Sequence, residues 1–345
     1  MSTSVVTTVN QLRSHLKGAL YGLAVGDALG APYEFRTRGN YAVSGMMEAS
    51  FTFTLPDGRP MEPGTWTDDT STALCLAESL NEKGKLEWED VAKKLVKWYE
   101  EGYMSAVGYC FDIGNATREA LGIYSSAIKS GNNFTLSGSS NPYSSGNGSL
   151  MRLSPVPVFY QSNPREALAM SDMQSRITHA SHMCLESCRL ATAQFLGFFA
   201  LARNSSNTST LSLEEAEERK EMVLSADYLP AGVTSDELSF ATEEVKALRA
   251  GTWKTKSVKQ IKTSGFVIHS HEAALWALWN SKSFEEGMLL LLPLGSDVDT
   301  VCAIYGQLAG ALYGIEAIPE RWLNALQRKD VLERVFDTLV ETSVS

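Results

Sequence analysis

The chain has 345 residues, 44% of them apolar, with 30 basic against 40 acidic side chains and a formal charge of −10 at pH 7. That length and apolar content allow a large core, while the acidic balance argues against nucleic acid as the main partner, because neutralising phosphates takes a basic face. An anionic small molecule would gain nothing from the overall field and would need metals, helix ends and local donors.

Helical patterning dominates from the N-terminus onward. Gln11 to Gly26 places Leu12, Leu16, Ala19, Leu20 and Leu23 on one face. It runs into Gly22-Leu23-Ala24-Val25-Gly26-Asp27-Ala28-Leu29-Gly30-Ala31-Pro32-Tyr33-Glu34, where small residues at 22, 24, 26 and 28 allow close backbone approach and Gly30 reads as a helix C-cap before Pro32. Asp27 reads as an anchor for nearby helix ends, and Glu34 as an isolated acid just past the cap. The stretch from Pro32 to Trp66 is a long glycine-containing loop, with Phe51 to Leu55 the best strand candidate. Thr70 to Glu82 and Glu87 to Glu101 are helical, the second amphipathic through Trp88, Val91, Leu95, Val96 and Trp98. In Phe111-Asp112-Ile113-Gly114-Asn115, Asp112 is a helix-capping candidate.

Lys129 to Gly148 is rich in Ser, Asn and Gly and ends in Gly146-Asn147-Gly148-Ser149-Leu150-Met151-Arg152. Two glycines opening into an apolar segment can form a backbone nest for phosphate oxygens, although glycine turns are often ligand-free. Ser175-Arg176-Ile177-Thr178-His179-Ala180-Ser181-His182 opens a long helix, Met183 to Ala202. A polar linker, Arg203 to Ser212, precedes a charged helix, Leu213 to Val223. Glu272 to Trp279 reads as a buried helix, and Val301 to Tyr313 as one rich in small residues that permit close packing. The class expected is all-α, a compact multi-helix fold forming one domain over residues 1–345.

Two acidic clusters share one vocabulary of aspartates beside threonine hydroxyls: Thr67-Asp68-Asp69-Thr70, and Asp297-Val298-Asp299-Thr300, which interrupts an apolar run. Carboxylates in apolar surroundings are costly unless paired or bound to metal. Oxygen-only ligands suit hard divalent cations such as Mg2+ or Mn2+, so clusters that meet in space would make a two-metal site. The five cysteines, Cys75, Cys110, Cys184, Cys188 and Cys302, lack zinc-ligand context and read as reduced thiols of a cytoplasmic protein. The polar N-terminus and the short, interrupted apolar stretch from Gly18 to Ala28 predict neither a secretion signal nor a membrane span.

Together these segments resemble the ADP-ribosylglycohydrolase family, which includes the dinitrogenase-reductase-activating glycohydrolase and the ADP-ribosylarginine and ADP-ribosylserine hydrolases. The resemblance is carried by Gly26-Asp27-Ala28-Leu29-Gly30, Gly64-Thr65-Trp66-Thr67-Asp68-Asp69-Thr70, Gly146 to Arg152, Ser175-Arg176-Ile177-Thr178-His179, Ser264-Gly265-Phe266-Val267 and Gly295-Ser296-Asp297-Val298-Asp299-Thr300, in the family's order over residues 18–315. It implies a central cleft with two Mg2+ or Mn2+ ions, held by Thr67, Asp68, Asp69, Asp297, Asp299 and Thr300, with Asp299 bridging. It implies hydrolysis of the bond between ribose C1″ of ADP-ribose and an acceptor, with Glu34 assisting or gating and Asp297 as the alternative base. Gly146, Asn147, Gly148 and Ser149 would cradle the phosphates, His179 would contact the diphosphate, and Phe266 would stack on the adenine side.

Ser296 departs from a common glycine, and His269 and His271 stand where an acid or apolar residue is frequent. The Asp112 segment resembles the branch acting on ADP-ribosylated arginine, with Asp112 receiving the guanidinium. The expected partner is therefore an ADP-ribosylated protein or ADP-ribose derivative, handled by a monomer without nucleic acid or membrane. Alternatives keep the fold and change the bond, to O-linked ADP-ribose on serine, O-acetyl-ADP-ribose or ADP-ribose 1″-phosphate. A catalytically silent ADP-ribose binder is a further alternative.

Overall fold

The computed structural model describes residues 3–43, 54–55, 58–204 and 211–344, with side chains from residue 9 onward. The chain is all-α. Its helices are α1 (Thr3–Gly30), α2 (Asp68–Lys83), α3 (Trp88–Glu101), α4 (Asn115–Lys129), α5 (Pro155–Phe159), α6 (Pro164–Arg176), α7 (His182–Asn204) and α8 (Leu213–Val223). They continue through α9 (Glu243–Arg249), α10 (Val267–Asn280), α11 (Phe284–Leu291), α12 (Val298–Tyr313), α13 (Glu320–Ala325), α14 (Lys329–Leu332) and, after a π-helical turn at Glu333–Asp337, α15 (Thr338–Val344). Strand-like pairing among the described residues is confined to isolated bridges, Thr54 with Pro60, Ser139 with His179 and Gly146 with Phe266. Most of the predicted strand at residues 51–55, and most of the linker after Arg203, lie outside the described residues. No helix among them is long and apolar enough to cross a membrane.

The axis of the fold is α1 packed antiparallel on α12. Gly18, Gly22, Gly26 and Gly30 recur every fourth residue and so share one face of α1. A Cβ added at these positions would lie 2.3 Å from the Gly310 carbonyl oxygen, 2.1 Å from that of Gly306, 2.1 Å from that of Cys302 and 2.3 Å from the Asp299 Cα. The approach is reciprocal, since a Cβ at Gly306 would meet the Gly22 oxygen at 2.0 Å. The contact face thus follows the helical period rather than the alternate small residues 22, 24, 26 and 28. This backbone-to-backbone contact brings the end of α1, with Asp27, against the start of α12, with Asp299. Around the axis, α7 and α10 complete a core that includes Leu20, Leu29, Phe195, Phe198, Leu275 and Leu308.

The helix starts matter most for the site. Helix α2 begins with Asp68 and Asp69 in its first turn, and α12 has Asp299 in its first turn just after Asp297. Anionic side chains are favoured there by the helix dipole and the free N–H groups. Thr67, the N-cap of α2, makes no side-chain cap of its own. Asp27 supplies that function from α1. Its carboxylate accepts from Thr67 N–H (2.9 Å), Thr67 Oγ1 (2.9 Å), Thr70 N–H (3.0 Å) and Thr70 Oγ1 (2.6 Å), and so works as the anchor its sequence context suggested.

Candidate active site

A cleft of about 710 Å3 opens where these helix starts meet the loops before α4, α5 and α10. Its lining includes an acidic set, Glu34, Asp68, Asp112, Asp297, Asp299 and Thr300, and a second set, Gly146, Asn147, Gly148, His179 and Phe266, joined to the first by the bond from Asn147 to Asp297 (2.5 Å). The two acidic sequence clusters therefore do converge. Among the described residues, Glu34, Asp112 and Asp299 each offer a carboxylate oxygen within 4.8 Å of the other two. Three expected site residues, Thr67, Asp69 and Ser149, lie behind the lining. Thr67 and Asp69 are buried, with Thr67 Oγ1 between Asp27 and Asp69 Oδ2 (3.1 Å). Ser149 has its hydroxyl bonded to Ser175 (2.7 Å).

Asp112 does not cap a helix. The N-cap of α4 is Gly114, and Asp112 Oδ1 accepts from Ile113 N–H (2.8 Å), on a backbone with φ +56°. Glu34 is held by its neighbours: Phe35 N–H donates to the Ser296 carbonyl (2.8 Å), and Ser296 N–H donates to the Arg36 carbonyl (2.9 Å). Phe35 and Ser296 have φ of 57° and 62°, which explains why glycine suits position 296. His269 and His271 do not line the cleft. His269 Nδ1 is hydrogen-bonded to the Ser264 hydroxyl (2.7 Å), and its ring sits edge-on to Phe266 with centroids 5.1 Å apart.

Burial governs the electrostatics of the acidic end. It is the largest cause raising the carboxyls of Asp68, Asp69 and Asp299 well above the ordinary range, with repulsion from neighbouring aspartates next. Glu34 is raised in the same way, first by burial and then by Asp299 and Asp112. Asp297 is pushed up to about 6 by burial, which the Asn147 hydrogen bond opposes. Asp69 Oδ1 and Asp299 Oδ1 are buried with no hydrogen-bond partner. Orphaned carboxylate oxygens and threonine hydroxyls form a donor set fitted to hard divalent cations, whose charge would relieve the repulsion.

Around His179 the donors are neutral, with a buried guanidinium behind them. Arg152 is fully buried and donates to the Gln174 side chain (3.1 Å), the Gly148 carbonyl (3.1 Å), the Gln174 carbonyl (3.0 Å) and Thr178 Oγ1 (2.9 Å). Thr178 Oγ1 lies 2.8 Å from His179 Nδ1. The buried Thr178 hydroxyl has two partners, and because arginine can only donate, Nδ1 is the acceptor for its proton, which leaves the remaining ring proton of His179 on Nε2. The imidazole is neutral, its pKa lowered to about 3 by burial and then by Arg152. It stands beside Gly146 and Gly148, where added Cβ atoms would meet the ring at 3.2 and 2.7 Å. The sequence reading overlooked Thr178 and Arg152 as a pair, although an arginine inside the apolar run Leu150 to Val158 was the available signal.

The site is thus a cleft ringed by carboxylate-bearing helix starts in an all-helical frame. The ADP-ribosylglycohydrolase family model matches residues 8–344, and the chain belongs to that family. It is 38% identical over 327 residues to the ADP-ribosylarginine hydrolase Tri1 of Serratia proteamaculans (strain 568), covering 94% of this chain and 78% of that one. Its counterpart in Pseudomonas putida (strain GB-1) is 34% identical, with 99% and 81% covered. The ADP-ribosyl-[dinitrogen reductase] glycohydrolase of Rhodospirillum rubrum is 27% identical, with 90% of each chain covered. A solved structure titled an ADP-ribosylglycohydrolase-related protein complex superposes with a TM-score of 0.73 at 31% identity, covering 97% of this chain and 99% of that one.

Proposed function

We propose that this chain removes ADP-ribose from arginine side chains of modified proteins by metal-dependent hydrolysis. The observation that carries the reading is the convergence of Glu34, Asp112 and Asp299 in a cleft that also offers neutral donors around Gly146, Gly148 and His179. The acidic set suits cations, both metal ions and a guanidinium, and the neutral donors suit a diphosphate. The names of the two relatives at 38% and 34% identity support the arginine linkage.

Two Mg2+ or Mn2+ ions held by Thr67, Asp68, Asp69, Asp297, Asp299 and Thr300 would supply positive charge and Lewis acidity toward the sugar hydroxyls and water. The chain's own groups then have separate tasks. His179 Nε2–H and the backbone around Gly146 to Gly148 orient the diphosphate, and Phe266 offers a face to the adenine. Water adds to C1″ while the C1″–N bond breaks toward the guanidine, and the proton released by water goes to Glu34 or Asp297. Carboxylates around the cleft favour the positive charge that develops on the sugar. We expect a monomer acting in the cytoplasm on protein-borne ADP-ribose, with the charge of −10 unsuited to nucleic acid.

The deciding experiment incubates the protein, with Mn2+ or Mg2+ or with EDTA, with peptides ADP-ribosylated on arginine or on serine and with ADP-ribose 1″-phosphate. Metal-dependent release from arginine alone is expected. Release from another substrate alone overturns the acceptor assignment. A second reading of Asp112, as a metal ligand, is favoured by its closeness to Glu34 and Asp299. Asp112→Asn separates the two: a loss confined to the arginine substrate supports guanidinium binding, and an equal loss on every substrate with weakened Mn2+ uptake supports ligation.

A further inference from the structure

Three segments meet beside Asp297 through main-chain bonds. Asn147 N–H donates to the Gly265 carbonyl (3.1 Å), Val267 N–H to Ser145 (2.9 Å) and Asp297 N–H to Thr263 (2.9 Å). Within this junction the Asn147 side-chain nitrogen makes two bonds, one to Ser270 Oγ (2.8 Å) and one to Asp297 Oδ2 (2.5 Å). Ser270, on α10, is fully buried and outside the cleft lining, and its hydroxyl donates to the Ser264 carbonyl (3.0 Å). It therefore accepts from Asn147. A carboxylate also only accepts, so the nitrogen of the amide, not its oxygen, faces Asp297. Both amide protons of Asn147 are committed.

We propose that Asn147 is a positioning residue for Asp297. Its amide, fixed from behind by Ser270, ties down Asp297 Oδ2 and leaves Oδ1 as the oxygen that Asp297 presents to a divalent cation. This assigns the Asn147 side chain to the metal end of the cleft, although its sequence context placed it in a phosphate cradle. The inference rests on the metal reading above. Partners that orient a ligating carboxylate tune cation affinity by about 10–100-fold, which makes the proposal measurable without turnover.

The experiment titrates Mn2+ into the full-length protein by calorimetry without nucleotide, and separately measures ADP-ribose affinity at saturating Mn2+. Asn147→Ala is expected to weaken Mn2+ binding by about 10–100-fold. Ser270→Ala, which leaves Asn147 and the cleft lining in place, is expected to weaken it by about 3–10-fold, with ADP-ribose affinity at saturating Mn2+ within about 3-fold of wild type. Ser270→Ala also serves if Asn147→Ala does not fold. Unchanged Mn2+ affinity in the folded variants, with ADP-ribose binding weakened, overturns the proposal and returns Asn147 to the phosphates. Wild-type protein that takes up no Mn2+ overturns the metal reading and this proposal with it, an outcome distinct from the first.

Discussion

The acidic end of the cleft and the end around His179 are both buried, and burial acts on them in opposite ways. At the acidic end it sets carboxylates against one another and leaves Asp69 Oδ1 and Asp299 Oδ1 without partners. At the other end it neutralises His179 and surrounds Arg152 with acceptors, so that a donor is fixed before any ligand arrives. The first arrangement is costly until cations enter, and the second is preorganised. Asp27 belongs by position to the acidic end but by chemistry to the other kind, because Thr67 and Thr70 donate to both of its oxygens.

The sharpest break of this comparison is Asp299→Asn. Hydrolysis should fall on the order of 10³-fold or more once a central carboxylate is lost. The chelated variant should nevertheless melt higher than the chelated wild type, because one of several repelling buried carboxylates is gone. The same logic fixes a pH dependence. Folding raises the pKa of these groups, with Asp27 and Asp297 pushed up to about 6 and Asp68, Asp69 and Asp299 well above the ordinary range. Their contribution to the stability of the chelated protein is present below the unfolded carboxylate pKa of about 3.9 and is lost as pH rises through the folded values. Mn2+ favours the ionised forms, so the rise in Tm that it induces should grow from about pH 5 to about pH 7.5. Thermal melts with EDTA and with Mn2+ across that range check it, and a shrinking rise would contradict the metal assignment.

Asp27→Asn should have the opposite sign from Asp299→Asn. An amide cannot accept from all the donors that face Asp27, and α2 has no side-chain cap of its own to compensate. We expect a loss of about 2–4 kcal/mol in denaturant unfolding of the chelated protein, with relief of the cost of burying the Asp27 charge the smaller effect. A stabilised variant would place Asp27 with the repelling group.

The acidic end was legible in the sequence because carboxylates interrupting an apolar run stand out locally. Asp297 and Asp299 show this beside Leu294 and Val301. The close α1–α12 contact was only half legible: the glycines and their spacing were visible, but the helix they meet shows itself only in the fold. Asn147 was hard to read for a different reason. Its neighbours Gly146 and Gly148 suggest a phosphate turn, while its side chain is claimed by Ser270 and Asp297, residues remote in sequence that only the fold brings together. Thr178 was hidden in the same way, since its role depends on Arg152 from another segment.

Thr178→Val tests the preorganised end on a smaller scale. Valine keeps the shape and removes the proton donated to His179 Nδ1, while the Arg152 guanidinium retains the Gln174 carbonyl (3.0 Å). ADP-ribose affinity should weaken about 5–10-fold, corresponding to one hydrogen bond of about 1 kcal/mol, with Mn2+ affinity unchanged. Nitrogen NMR of the His179 ring gives the direct readout: wild type should carry its proton on Nε2, and the variant should lose that preference. A fixed Nε2–H in the variant would show that the hydroxyl does not set the tautomer.

The smallest effect concerns the join between Glu34 and the second acidic cluster. Phe35 and Ser296 both have positive φ and are tied by backbone bonds to the facing segment, so this strain lies between Glu34 and Asp297. Ser296 is exposed and its neighbour Gly295 already has φ 65°, with room for no Cβ beside the Arg36 carbonyl. Ser296→Gly removes the left-handed penalty of about 1–2 kcal/mol and adds back about 0.5–1 kcal/mol of unfolded-chain entropy. The net expectation is a stabilisation of about 0.5–1 kcal/mol, read from denaturant midpoints with the m-value unchanged. If turnover of the arginine substrate stays at wild-type level, the strain at 296 is incidental to the site. If turnover falls while stability rises, serine at 296 helps hold Glu34 against Asp297, and the backbone joins the side chains in setting the acidic end.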